Sequence, residues 1–301
     1  MNSDMSEIKS SLPLVSVVII NYCGFSDTVC AVESVLDSTY KDVRVVVVDN
    51  ASPDNTGVKL FKQFSGAERV SVVLLDENVG FGSGNNVGIK LAIDNGSDYV
   101  LLVNNDTVVD CRMIEALVEE AGRNTVVSPL VFYYSEPNSV WFGGGYFDWW
   151  GAPRHLFRNR EANNVGVDSY SSEWLTGCSM FFPIKAFLDT GGFDPNYFLY
   201  CEDVDWSIRL VRAGYSLMVN PQARMWHKVS ATTGGADSPL SYYYGARNRL
   251  YMIRKLNLGM KYRIISILSI LRGVLSKKSR YQWAGKAFRD YLAGRMGRAA
   301  L

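Results

Sequence analysis

The chain has 301 residues, 48% apolar and 20% charged, enough to bury a large core and too hydrophobic for a disordered chain. Its net charge of +1 is unevenly spread: 12 bases face one acid from Arg254 to Leu301, while 19 bases face 29 acids before it. The acidic body disfavours a nucleic-acid binder, and five cysteines with no C-x-x-C pair argue against a disulfide scaffold or zinc ribbon and fit a reducing compartment.

Met1 to Ser11 is polar and carries acids, unlike a secretory leader, and residues 1–12 are expected to form a flexible N-terminus. Four β-branched or leucine-rich runs follow: Val15 to Ile20, Val43 to Val48, Val70 to Leu75 and Tyr99 to Val103. Such near-continuous apolar runs read as strands buried on both faces, as in a parallel sheet. Helical patterns lie between them over Ser26 to Ser38, Thr56 to Phe64 and Gly84 to Asn95, the last stopped by Gly96. The alternation predicts a doubly wound α/β half. Each strand ends in Asn or Asp, so polar groups gather at the carboxyl edge of the sheet, where open α/β sheets bind ligands.

The second half is less regular. Ser128 to Phe147 reads as strands and loops, Glu202 to Gly214 as a short helix, and Ser216 to Val219 as a strand followed by a proline turn. Ser241 to Leu256, Lys261 to Leu275 and Arg280 to Leu292 read as helices. The longest apolar run, Ile264 to Leu271, contains two serines and falls far short of the about 20 residues a membrane-spanning helix needs. Around it stand Arg263, Arg272, Lys277, Lys278 and Arg280, the pattern of an interfacial helix on an anionic membrane. The alternative is a helix packed on the body or at a subunit interface of a homo-oligomer.

Several clusters carry chemistry. Asp49 closes the second strand, where a carboxylate can accept the N–H of a pyrimidine ring; a capped turn is the plainer alternative. Asn78 to Asn86 carries glycines at alternate positions before a helix start, which suits phosphate, but G-x-G-x-G breaks the dinucleotide spacing. Asn104-Asn105-Asp106 offers hard oxygen donors suited to Mg²⁺ or Mn²⁺. Glu202, Asp203 and Asp205 crowd a helix start behind an aromatic run, where apolar surroundings raise a carboxylate's pKa toward that of a general base. His227, one of only two histidines, can complete a weak Asn/Asp metal site.

The order and spacing of these clusters are more specific than any one of them. The stretch from Val15 to His227 resembles a family 2 glycosyltransferase of the GT-A fold, most similar to its rhamnosyltransferase-type and galactofuranosyltransferase-type members. The signatures are Val-Val-Ile-Ile-Asn-Tyr22, Val-Asp-Asn-Ala-Ser-Pro-Asp54, Glu-Asn-Val-Gly-Phe-Gly82, Leu-Val-Asn-Asn-Asp106, Gly-Gly-Phe-Asp194, Glu-Asp-Val-Asp-Trp206 and Trp-His227.

The resemblance implies a GT-A catalytic domain over residues 13–235, with a nucleotide-binding half at 13–110 and an acceptor half at 111–235. A basic helical region then spans 236–301. It implies an inverting, metal-dependent transfer of a sugar, with dTDP-L-rhamnose the leading donor and UDP-galactofuranose or a UDP-hexose the alternatives. A non-catalytic nucleotide-sugar-binding subunit is the alternative outside the enzymes. The implied acceptor is a glycan or lipid-linked glycan in cell-envelope polysaccharide or O-antigen synthesis, met at the cytoplasmic face of the membrane. By resemblance, Asp203 is the base and Glu202 flanks it. Asp106, Asn104 and His227 hold Mg²⁺ or Mn²⁺, although Asn at the first position removes a charge from the usual D-x-D motif. Substrate contacts fall on Asn21, Asp49, Asn50, Asn78, Gly80, Phe81, Gly82, Asn85, Asn105, Trp174, Thr176 and Gly177.

Overall fold

The computed structural model describes residues 12–229, 238–275 and 282–299. The expected flexible N-terminus and the bases Lys277, Lys278 and Arg280 lie outside the described residues. The first half alternates as the apolar runs predict: β1 (Val15–Asn21), α1 (Phe25–Leu36), β2 (Val43–Asp49), α2 (Thr56–Gln63), β3 (Val70–Leu74), α3 (Phe81–Asp94) and β4 (Tyr99–Asn104). These strands pair in parallel in the order β3-β2-β1-β4. β1 is buried at every position, and β2 at all but Arg44, because helices cover both faces of the sheet.

The second half extends the same sheet, adds a separate two-stranded sheet that pairs Gly145–Phe147 with Pro153–His155, and uses mostly short elements. These are β5 (Thr107–Val109), α4 (Met113–Glu120), β6 (Thr125–Tyr133), β7 (Val140–Phe142), β8 (Gly145–Phe147), β9 (Pro153–His155), β10 (Tyr170–Ser171), β11 (Ser179–Pro183) and α5 (Ile184–Thr190). α6 (Glu202–Arg212) and β12 (Ser216–His227) follow. The sheet continues β4-β11-β6-β12-β10, with β11 antiparallel to both neighbours and β12 parallel to β6. The proline turn expected after Val219 is instead a bulge: pairing with β6 shifts register between Asn220 and Arg224 and the strand runs on to His227.

Three helices close the chain, α7 (Pro239–Lys255), α8 (Met260–Leu275) and α9 (Gln282–Leu292). Ser238 caps α7 by accepting the Ser241 N–H, and Pro239 takes the first turn, where its missing N–H costs nothing. Tyr243 and Tyr244 are buried in a cluster with Ala287 of α9. All five cysteines are free, and among the described residues no helix is long and apolar enough to cross a membrane.

Candidate active site

Parallel strands bring their carboxyl ends to one edge, so Asn21, Asp49 and Asn104 lie together at the ends of β1, β2 and β4. Asn21 is fully buried and turns the chain into α1: its Oδ1 accepts the Gly24 N–H (3.1 Å) and the Thr28 hydroxyl (2.8 Å). Its amide donates to Asp49 Oδ1, which also accepts the Ser52 hydroxyl (2.6 Å), while Asp49 Oδ2 accepts the Ser52 N–H (3.0 Å). Asp49 is therefore buried and largely satisfied within its own turn, as the capped-turn alternative expects. Asn105 donates to Thr28 Oγ1 (3.1 Å) and joins the same network.

The pair Asp106 and His227 is made by strand register. β5 lies antiparallel to β12 with Thr107 opposite His227, which sets the imidazole beside the preceding residue, Asp106. Nε2 of His227 is 3.0 Å from Asp106 Oδ1, and its ring packs edge-on against Trp141 (4.5 Å between centroids). Burial disfavours the charged ring, but the Cys178 sulfur and the Asp106 carboxylate favour it, and the His227 pKa is raised to about 10. Nδ1 of His227 and Oδ1 of Asn104 are buried polar atoms with no partner among the described residues.

The second cluster opens α6. Glu202 is buried, and its Oε2 has no partner among the described residues. Burial first, and then the like charge of Asp203, push its pKa up to about 8. Burial raises the pKa of Asp203 as well, but two N–H groups oppose it: Gly177 donates to Oδ2 (3.1 Å) and Val204 to Oδ1 (2.8 Å). Asp205, grouped with these acids in the sequence, belongs to a different network. It is fully buried and accepts Arg209 Nε (2.7 Å), Lys255 Nζ (2.8 Å) and the Tyr197 hydroxyl (3.1 Å), which fixes α6 to α7. The turn Thr176 to Cys178 joins the two clusters, since Gly177 donates to Asp203 and the Cys178 carbonyl accepts the Asn104 N–H (3.0 Å).

The glycine-rich segment differs from its sequence reading. α3 starts at Phe81 rather than Gly84, so Phe81 and Gly82 form its first turn, and Asn85 donates to the Phe81 carbonyl (3.0 Å). Gly80 has φ +88, and a Cβ there would lie 2.4 Å from the Phe198 carbonyl oxygen; at Gly82 it would meet Phe193 at 2.8 Å. These glycines thus admit the chain's own 193–198 segment, and the Phe81 N–H is already given to Phe198. Asn50 accepts the Val79 N–H (2.9 Å) and donates to the Gly80 carbonyl (3.1 Å), while Asn78 accepts the Gly80 N–H (3.0 Å). Trp174 is buried against Phe142 and His155 and donates to the Tyr146 carbonyl (3.2 Å). Thr176, also buried, accepts the Cys178 N–H (3.2 Å).

Sequence reasoning missed what holds α6 in place. Tyr200 and Cys201 both have left-handed backbone (φ 69 and 73), a strained conformation for residues with side chains. Asn248 of α7, fully buried, donates to the carbonyls of Leu199 (2.8 Å) and Tyr200 (2.9 Å) and pins this corner. Its neighbour Arg247, also buried, stacks on Tyr243 and Tyr244 and donates to the Gly297 carbonyl (2.8 Å). The available signal was an amide on the helix face carrying Tyr244 and Tyr251, since a polar group on a buried face needs partners.

Comparison with known proteins identifies the family and the fold. The model of glycosyl transferase family 2 covers residues 16–181, and that of glycosyl transferase family group 2 covers 99–292. The N-acetylglucosaminyl-diphospho-decaprenol L-rhamnosyltransferase of Mycobacterium tuberculosis is 27% identical over 222 residues, 65% of this chain and 70% of the relative. The dTDP-rhamnosyl transferase RfbF of Shigella flexneri is 21% identical over 272 residues, 84% and 86% respectively. GalNAc-T7, solved with UDP, GalNAc and Mn²⁺, superposes with a TM-score of 0.65 at 18% identity over 94% of this chain, which spans 58% of that one. The mannosyltransferase PcManGT from Pyrobaculum calidifontis, solved with GDP-Man and Mn²⁺, gives 0.59 at 15% identity over 97% of this chain and 77% of that one. Both share the fold, which is GT-A. With the family model spanning more than half of it, the chain belongs to glycosyl transferase family 2.

Proposed function

We propose that this glycosyltransferase moves L-rhamnose from dTDP-L-rhamnose to a hydroxyl of a lipid-linked glycan, with inversion, in cell-envelope polysaccharide synthesis. The observation that carries the reaction type is the Thr176 to Cys178 turn, which ties the Asp203 carboxylate to the strand end bearing Asn104 and Asp106. Asp203 takes the proton of the acceptor hydroxyl. The freed oxygen bonds the anomeric carbon from the face opposite the diphosphate, and the bond to the diphosphate breaks with its electron pair. One displacement inverts the centre, so no covalent carboxylate intermediate is needed. Glu202, with its raised pKa, stays protonated at neutral pH and leaves the base role to its neighbour.

The donor atoms fit a divalent ion. Asp106 and His227, whose Oδ1 and Nε2 are 3.0 Å apart, would hold it together once the imidazole gave up its proton. Asn104, with its unpartnered Oδ1, would be a third donor, and a bound Mg²⁺ or Mn²⁺ would offset the charge of the leaving diphosphate. On the nucleoside side, one acceptor position on Asp49 Oδ2 remains for a pyrimidine N–H. Asn21, Asn50 and Asn105 set its frame, while Asn78, Gly80, Phe81, Gly82 and Asn85 act through the start of α3, which they fix against the chain's own 193–198 segment. Trp174, Thr176 and Gly177 lie on the sugar and acceptor side.

The choice of L-rhamnose rests on the names of the Mycobacterium and Shigella relatives, and the lipid-linked acceptor on the former. A surface on α8 supports the membrane setting. Met260, Ile264, Leu268 and Leu271 share one exposed face, and Lys261 lies over the ring of Trp149, which is 77% exposed beside the exposed Trp150. Apolar and indole groups ringed by bases suit an anionic interface on the cytoplasmic side.

Calorimetry with dTDP-L-rhamnose, UDP-galactofuranose and UDP-hexoses in Mg²⁺ or Mn²⁺ tests the donor. The expected result is tightest binding of dTDP-L-rhamnose, with metal-dependent affinity lost in Asp106→Ala. Tighter binding of a UDP-sugar moves the donor assignment, and metal-independent affinity removes the metal role.

A further inference from the structure

α7, α8 and α9 line an open cavity of about 250 Å³, separate from the strand-end site, whose walls include Ser241, Tyr242, Arg249, Ser266 and Ser269. It is unusual in what it leaves unmet. Arg249 makes one hydrogen bond among the described residues, from Nη2 to the Trp150 carbonyl (3.1 Å); its Nε is buried without a partner. No carboxylate lies within ion-pair distance among the described residues, since the Asp148 carboxylate that acts on it is paired with Arg154, whereas the buried guanidinium of Arg247 is fully engaged. Burial accordingly lowers the Arg249 pKa. Ser266 is 2% exposed, and its hydroxyl also lacks a partner. A half-buried cation and a buried hydroxyl, both unmatched and both lining one cavity, carry a desolvation cost that an anion would offset.

Position narrows the ligand. Asn248, the residue before Arg249, donates to the Leu199 and Tyr200 carbonyls, so the α7 wall of the cavity runs beside the corner that leads into α6. On its other side α8 carries inward Ser266 and outward Ile264, Leu268 and Leu271, and exposed Ser269 marks the mouth. A ligand with a charged head in the cavity can therefore run an apolar tail along the exposed face of α8 while its far end approaches Asp203. We propose that this cavity binds the phosphate or diphosphate group of a lipid-linked acceptor, with Arg249 and Ser266 as its binding residues. The inference rests on the lipid-linked acceptor proposed above and adds where its phosphate is held. Arg suits the task because its guanidinium presents several donors to phosphate oxygens at once.

The test measures binding rather than turnover, so it does not depend on the donor. Farnesyl diphosphate, farnesol and inorganic pyrophosphate are titrated into the full chain in EDTA, which keeps a metal-bound diphosphate out of the strand-end site. Farnesyl diphosphate should bind, with farnesol and pyrophosphate at least tenfold weaker. Arg249→Met should weaken farnesyl diphosphate by tenfold or more and Ser266→Ala by several-fold, with thermal unfolding and metal-dependent dTDP affinity unchanged. Ser266→Leu, which fills the cavity, provides an independent block. Unchanged farnesyl diphosphate affinity in folded Arg249→Met overturns the proposal, as does farnesol binding as tightly, which marks a purely apolar site. Pyrophosphate binding as tightly as farnesyl diphosphate overturns the acceptor assignment in favour of a free-anion site. A failure here with intact dTDP binding leaves the glycosyltransferase reading standing; loss of dTDP binding in the unaltered chain strikes that reading instead.

Discussion

At the scale of single residues, Glu202 and Asp203 are adjacent carboxyls with different surroundings. Asp203 receives two N–H groups that favour its charged form, whereas Glu202 Oε2 receives none among the described residues. Asp203→Asn should therefore cut turnover by roughly 10²–10⁴-fold, the usual worth of a general base. Glu202→Gln, a neutral isostere of an acid already protonated at pH 7, should stay within several-fold of wild type in single-turnover assays. The raised Glu202 pKa also sets a pH dependence of stability. Between the ordinary value of 4.5 and about 8 the folded state holds a proton that the unfolded state releases, so stability falls as pH rises through that window. Glu202→Gln should lose this slope, its advantage in unfolding midpoint growing from pH 5 to pH 8; a constant difference across the series would refute the buried neutral acid. The sequence showed that acids crowd this helix start. It did not show that Asp205 turns away to Arg209 and Lys255, because those partners lie on the far side of α6 and on α7.

At the scale of elements, the first four strands were legible because each is a near-continuous apolar run closed by a polar residue. β5, β10 and β11 were not, since segments of two to five residues owe their form to neighbours rather than to their own pattern. That matters for the site, because His227 meets Asp106 only through the antiparallel pairing of β5 with β12. The Asn and Asp residues at the strand ends were visible in sequence, whereas the strand pairing that gathers them was not. α7 offers the sharpest test of an unseen support. Asn248→Leu leaves the Leu199 and Tyr200 carbonyls without their donor, at a cost of about 1–3 kcal/mol for each buried group. The strained corner before α6 should relax, lowering kcat more than donor affinity. Wild-type kcat in this variant would show that the corner holds itself.

At the scale of the molecule, the near-zero net charge conceals an acidic catalytic body and a basic close, and the structure divides the latter's work. α7 and α9 bury their apolar faces with each other and the 198–200 segment, while α8 keeps one apolar face in the open. α8 also packs Ile270 on Leu250, Ala284 and Tyr291, as the packed alternative expects, and any membrane binding should depend on its exposed face. Ile264→Glu with Leu268→Glu should abolish sedimentation with anionic vesicles while leaving donor hydrolysis in solution unchanged; binding that persists would exclude this face. The link from Arg247 to Gly297, beside that from Asn248 to the corner before α6, also has a consequence in time. During synthesis the central sheet can close once β12 has left the ribosome, whereas the corner before α6 waits for α7, because Asn248 supplies the donors that its two carbonyls need.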